Sequence, residues 1–263
     1  SRNVKPPARR RCTLCTVSTD SPGLWGPALD TLQHWDPLWA QDFSAMSVDP
    51  WRAGVLDHRF LELVCVALNA SCTTLNAAAV RRHIRAALRA GATRDEVLFV
   101  IKCAALVSVH ALSVAAPVLA EASRDDDRAD VSVSAAPRPS CDAMRAAGQW
   151  NAAWDPFLQI DPAWTEQFMS VSVSLYAADV LSPMEIELLS IALDASVTHL
   201  YTPGIRRHIH HALAAGATPA QILTVLHLCA SQGAQSINLA VPILDEELAH
   251  CSEILTETTD LEI

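Results

Sequence analysis

Positive charge is scarce in this chain, and lysine is almost absent. Of 19 Lys and Arg only Lys5 and Lys102 are lysines, against 29 Asp and Glu, and the net charge is −10. The basic footprint of a general nucleic-acid binder is therefore missing. Charged residues make up 18% and hydrophobic ones 51%, which excludes disorder over the whole length. With 263 residues there is material for two domains. Eight cysteines are too few for a disulfide-stapled scaffold. Only Cys12 and Cys15 have CxxC spacing, and no second CxxC completes a zinc site. No apolar core follows the basic run Ser1 to Arg11, so no secretory signal is expected and the chain is read as cytoplasmic. No stretch alternates polar and apolar residues convincingly, so strands are not expected.

What is present is a repeat. Shifted by 125 positions, Glu62 to Glu121 aligns without gaps on Glu187 to Glu246, with 25 of 60 positions identical. Arg81-Arg82-His83-Ile84 matches Arg206-Arg207-His208-Ile209, Gly91-Ala92-Thr93 matches Gly216-Ala217-Thr218, and Pro117 matches Pro242. Upstream, Trp35-Asp36-Pro37-Leu38 echoes Trp154-Asp155-Pro156-Phe157. So long a period means duplicated domains, not a solenoid. The implied order is a lead at 1–24, repeat one at 25–122, a charged and Pro-rich linker at 123–140, repeat two at 141–250, and an acidic tail at 251–263. The uncharged run Cys103 to Ala120 has nearly the length of a membrane helix. Its counterpart 228–245 carries Gln232, Gln235, Asn238 and Asp245, so both runs are expected to be buried helix and no membrane is expected.

The repeats read as helices. Val80, Ile84, Ala87 and Leu88 share one helical face, and Gly91 supplies a C-terminal cap. Thr93 with Glu96 spells a capping box, in which the Thr hydroxyl takes a free N–H and the Glu reaches back. Repeat two uses Thr218 with Gln221 and puts Pro219 at the first helical position. The fold class is all-α.

The candidate chemistry lies at His83 and His208, which point to the apolar side of their helices. Each follows an Arg pair, and each has a Glu, Glu62 or Glu187, 21 residues upstream on an apolar helix. A buried Glu needs a partner. One reading is a structural ion pair joining two helices. The other is an acid/base His oriented by a carboxylate, with Arg for an anionic substrate. Arg82 lies about 100° from His83 around the helix and shares a pocket edge with it, whereas Arg81 faces away. No two of His208, His210 and His211 stand at i, i+4, so no metal is expected there.

The runs 67–76 and 81–96, with their second copies, resemble the carboxymuconolactone decarboxylase-like (alkylhydroperoxidase-like) family over some 60 residues per repeat. The resemblance implies two tandem helical domains packed as a pseudo-symmetric pair, without metal or organic cofactor. It also implies ring assembly, three chains making a pseudo-hexamer. Two chemistries go with it: decarboxylation of an aromatic-derived lactone acid, and thiol-dependent reduction. The thiol branch needs a CxxC pair and a nearby His. Here Leu75 stands at the second Cys position after Cys72, and Val197 replaces Cys72 in repeat two. One sulfur cannot run a dithiol cycle without an outside thiol. A cofactor-independent lyase acting on a small anionic acid fits better, because Arg, His and Glu suffice when the substrate's own carbonyl accepts the electron pair. A redox protein using Cys72 and a non-catalytic scaffold remain the alternatives.

The repeats differ at polar positions: Cys72, Thr74, Asn76, His110 and Ser113 become Val197, His199, Tyr201, Gln235 and Asn238. Repeat one is the expected live site, with His83, Arg82 and Glu62 catalytic and Cys72, Asn76, His110 and Arg81 around the substrate. The alternative set is His208, Arg207, Glu187, His199 and Tyr201 in repeat two.

Overall fold

The computed structural model describes residues 22–123 and 136–260, and among them every regular element is helical. The first half holds α1 (Ala28–Trp35), α2 (Pro37–Ser47), α3 (Asp49–Arg52), α4 (His58–Ala70), α5 (Ala77–Arg89), α6 (Arg94–Leu106) and α7 (His110–Ala122). The second holds α8 (Pro139–Ala146), α9 (Asp155–Ile160), α10 (Pro162–Tyr176), α11 (Pro183–Ala195), α12 (Thr202–Ala214), α13 (Pro219–Ser231) and α14 (Ala234–Asp260).

Local chemistry sets the helix ends. Asn76 Oδ1 accepts the Ala79 N–H at 3.1 Å and starts α5. Gly91, at φ +95°, ends it, and the Ala92 N–H then reaches the Ala87 carbonyl at 2.9 Å. Gly216 at φ +92° closes α12 with the same bond, Ala217 to Ala212. The capping boxes of Thr93 with Glu96 and Thr218 with Gln221 are complete, and Ser182 with Glu185 adds one at α11. Leu75 and Leu200, 125 positions apart, both sit in the left-handed region at φ +49° and +51°.

Helices α4 and α11 pack on each other, and both are apolar nearly all round. Leu61, Leu63 and Val64 meet Leu188, Leu189 and Ile191 in one continuous core, all without exposed surface. Each such side chain contributes roughly 1.5–3 kcal/mol of burial. At its rim Arg59 bridges Glu96 of one half and Glu185 of the other.

The ends of the two halves are exchanged. Helix α7 packs on α9 and the 152–154 turn of the second half, while α14 packs on α1 of the first. A 3₁₀ turn at Val107–Val109 separates α7 from α6. The run Arg94–Ala122 is long and apolar enough to cross a membrane, yet it carries this break and packs partly inside the molecule. It is not buried throughout, as the sequence suggested: Val114, Val118 and Leu119 of α7 are exposed, as are Leu239, Ile243 and Leu244 of α14.

The boundaries shift at three points. Leu24, placed in the lead by sequence, is fully buried. Helix α8 begins at Pro139, inside the expected linker, whose residues 124–135 lie outside the described residues. Helix α14 runs to Asp260, past the point where the tail was expected. Cys12 and Cys15 also lie outside the described residues.

Candidate active site

Both Glu–His pairs form, bridging neighbouring helices. His83 Nδ1 lies 2.7 Å from Glu62 Oε2, and His208 Nδ1 lies 2.6 Å from Glu187 Oε2. Their surroundings differ completely.

In the first half the pair is sealed. His83 has no exposed surface, and its Nε2 has no partner among the described residues. Glu62 Oε1 accepts from Trp51 Nε1 at 2.9 Å and from the Gly23 N–H at 3.1 Å. The backbone of residues 23–26 lies over the imidazole. Arg82 Nε donates to the Gly23 carbonyl at 3.1 Å, and Asn238 Nδ2 donates to the Leu24 carbonyl at 2.9 Å. Asn238 Oδ1 accepts the Gly26 N–H at 2.8 Å. A Cβ on Gly23 would stand 2.8 Å from His83 Nδ1, so only glycine fits this crossing. Arg82 also donates to Gln235 Oε1 at 2.7 Å. The Arg expected to take a substrate carboxylate is thus occupied by the chain itself.

The remaining first-repeat candidates do not gather around His83. Cys72 is an exposed thiol on the turn after α4, and Arg81 is exposed on α5. Asn76 and Arg82 share a groove of about 360 Å³ with Gln235 and Asn238, which His83, Cys72 and His110 do not line. His110 goes elsewhere because the exchanged α7 carries it into the second half. The expectation rested on nearness along the chain, and the packing of α7 on α9 and the 152–154 turn undoes it.

In the second half His110, Arg207, His208 and Asp194 line a cavity of about 70 Å³, walled by Trp154, Phe168, Leu193 and Tyr176 among others. Arg207 NH2 contacts His208 Nε2 at 3.0 Å, while its Nε and NH1 are buried without a partner. Its guanidinium carbon stands 5.6 Å from the centre of the Trp154 ring. An Arg always donates, so His208 Nε2 accepts, and Nδ1 carries the hydrogen bonded to Glu187. Burial holds His208 below the usual histidine range despite Glu187. Burial alone would raise Glu187, but hydrogen bonds from His208 and Gln149 bring it below its usual value. The pair is therefore a neutral imidazole on an ionised carboxylate.

Asp194 is the residue that sequence reasoning missed. It is 2% exposed, and its Oδ2 accepts no hydrogen bond among the described residues and stands 3.8 Å from His208 Nε2. Burial pushes its carboxyl up to about 7, although the Arg207 charge opposes the shift. A Cβ on Gly204 would lie 1.8 Å from Asp194 Oδ2, so this carboxylate depends on that glycine. Both had a signal in the repeat, where Asn69 becomes Asp194 and Ala79 becomes Gly204. His110 Nδ1 stands 2.7 Å from His199 Nε2 and 3.4 Å from Asp194 Oδ1, with its ring stacked on Tyr201 at 3.9 Å. Burial, then His199, Arg207 and His208, hold His110 down to about 3, so it is neutral. Cys103 also lines the cavity, but burial pushes its thiol up to about 12.

An all-helical fold with buried Glu–His pairs, one of them beside an Arg-lined cavity, defines a protein of the carboxymuconolactone decarboxylase-like class. Comparison agrees. The model of the "Carboxymuconolactone decarboxylase family" matches residues 37–121. A crystal structure from Burkholderia xenovorans LB400, provisionally described as a gamma-carboxymuconolactone decarboxylase subunit, is 30% identical. It superposes with a TM-score of 0.77 over 86% of this chain and 92% of that one. The chain belongs to the carboxymuconolactone decarboxylase family. No protein of curated function matches it in sequence.

Proposed function

We propose that the chain is a decarboxylase-type lyase for a small anionic acid, needs no organic cofactor, and works in the cavity of the second half. One observation carries this: Arg207 presents two buried N–H-bearing nitrogens without partners at a cavity, where its counterpart Arg82 is tied to Gly23 and Gln235. Buried guanidinium donors without partners suit an anionic carboxylate. The cavity has room for roughly five to seven water molecules, and its Trp154, Phe168 and Leu193 walls suit an apolar or ring-shaped body.

The charges explain the proton step. The Arg207 guanidinium is one of the groups that keep His208 neutral. A bound carboxylate neutralises it and draws the Arg207 NH2 off His208 Nε2, and His208, backed by Glu187, can then hold a proton at Nε2. The bond from the carboxylate carbon to its neighbour breaks, and the electron pair passes into the substrate's carbonyl as an enolate. CO₂ leaves, the proton from His208 closes the carbon, and solvent restores the proton. Glu187 fixes the ring and its tautomer throughout.

Thiol chemistry has less support, since Cys72 lies exposed outside the cavity and burial keeps Cys103 protonated. The scaffold reading fits the first half, where the Glu62–His83 pair and Arg82 are spent on the strap of residues 23–26.

The test is CO₂ release from a panel of β,γ-unsaturated lactone acids and β-keto acids. Arg207→Met should lower kcat/KM by about a hundredfold, while Arg82→Met and Cys72→Ser keep turnover. Full activity in Arg207→Met with none in Arg82→Met would move the site to the first half. Loss of all turnover in Cys72→Ser would instead establish thiol chemistry.

A further inference from the structure

The lyase reading uses Arg207, His208 and Glu187 and leaves a second cluster in the same cavity wall unexplained. We propose that His110, Asp194 and His199 form a site for a divalent transition-metal ion of the zinc class. This goes beyond the lyase reading and does not depend on it.

Three elements bring one donor atom each: His110 from α7, Asp194 from α11, and His199 from the turn before α12. These atoms lie within 4.8 Å of one another. Tetrahedral zinc, with bonds of about 2.0–2.2 Å, puts neighbouring ligand atoms roughly 3.3–3.5 Å apart. His110 Nδ1 and Asp194 Oδ1 are already 3.4 Å apart. His199 Nε2, at 2.7 Å from His110 Nδ1, would have to retreat slightly, and it stands half-buried on a turn that leaves it room. Two imidazole nitrogens and one carboxylate oxygen suit zinc and its first-row neighbours better than magnesium or calcium. The buried Asp194 Oδ2, which accepts no hydrogen bond among the described residues, is a second observation pointing to a ligand.

Comparison of the halves sharpens the case. The repeat positions of Asp194, His199 and His110 are held in the first-half site by Asn69, Thr74 and Gln235. Two amides and a hydroxyl replace the three metal donors, and Asn69 Nδ2 is bonded to Gln232 Oε1 at 2.8 Å. The second half has exchanged all three positions together and cleared space with Gly204. Tyr201, stacked on His110, fixes the ring plane that aims Nδ1. The neighbouring group of Glu187, His208 and His211 is a weaker candidate, because His208 Nε2 faces the cationic Arg207 guanidinium at 3.0 Å. The Arg207 charge opposes a cation here; the Glu187 carboxylate offsets it, and a bound ion would displace the proton from Asp194.

The full chain, stripped with EDTA, should bind one Zn²⁺ per chain by titration calorimetry. Co²⁺ in its place should give the intense visible absorption of a tetrahedral ion. His199→Ala and Asp194→Asn should each weaken binding at least ~tenfold, His199→Cys should keep it, and His211→Ala should leave it unchanged. His199 is half-buried on a turn, so its variants keep a folded protein to measure even where Asp194→Asn does not. Absence of saturable binding would overturn the proposal. So would binding that survives His199→Ala and disappears in His211→Ala. Neither readout uses turnover, so the lyase reading and the metal site can fail separately.

Discussion

The two histidines share a sequence context and differ in what surrounds them, so they should respond differently to the same substitution. His208→Asn removes the proton carrier beside Arg207 and should lower turnover by ~10²–10⁴-fold with the fold intact. His83→Asn should leave turnover unchanged and lower the melting temperature, because Glu62 would lose its partner at 2.7 Å inside a sealed site. Measuring kcat and thermal unfolding on both variants separates the roles. Asp194 gives a pH signature. Its folded pKa of about 7 lies above the ordinary carboxyl value of 3.8, so between these the folded state holds a proton that the unfolded state has lost. Stability from this group is full below pH 4, falls as pH rises toward 7, and is gone above it, by up to about 4 kcal/mol. Asp194→Asn should flatten that slope in urea titrations run with EDTA at pH 5 and pH 8, and an unchanged slope would refute the buried neutral carboxyl. At this scale the sequence showed both Glu–His pairs, because a buried carboxylate demands a partner and 21 residues span one helical hairpin. It did not show Asp194, since the change from Asn69 is one atom type and acquires meaning only with Gly204 and the partly unpaired Arg207 around it.

At the scale of elements, helix starts and stops were legible because their chemistry is local: Thr93 with Glu96, Thr218 with Gln221, and Gly91 at its positive φ all lie within a few residues of the end they set. The exchange of α7 and α14 was not legible, because the direction a helix takes after the Val107–Val109 break depends on packing against α9, far along the chain. The strap at 23–26 was missed for a similar reason. It is held by Glu62, Arg82, Gln235 and Asn238, none of them a sequence neighbour. The crossing admits no side chain at residue 23, so Gly23→Ala should push the strap off His83. With the neighbouring atoms being ring and backbone at 2.8–3.0 Å, the cost should be about 1–3 kcal/mol. Hydrogen exchange should show faster loss of protection at residues 23–26 in that variant, with turnover in the second-half cavity preserved. Unchanged protection would mean the strap tolerates a Cβ and is not clamped by this crossing.

At the scale of the whole molecule, the exposed apolar surface asks for a partner. Val114, Val118 and Leu119 of α7 are 58%, 63% and 53% exposed, and their repeat counterparts Leu239, Ile243 and Leu244 of α14 are 67%, 49% and 50% exposed. The same three positions in each half thus form matching apolar faces on the two exchanged helices. Scattered apolar residues on a surface need no explanation, but a face repeated at equivalent positions on two helices marks an interaction surface. A chain with two such related faces can close into a ring, each contact joining one chain's α7 to the next chain's α14. By the resemblance that suggested a pseudo-hexamer, we predict three chains, a particle of about 85 kDa from protomers of 28.4 kDa. Sedimentation equilibrium at micromolar concentration should give that mass. Val118→Lys with Ile243→Lys would set a charge in each face and should shift the mass toward one chain, with the helical content unchanged. A monomer in the unsubstituted protein refutes the ring, and a dimer that does not grow with concentration leaves only one of the two faces in use.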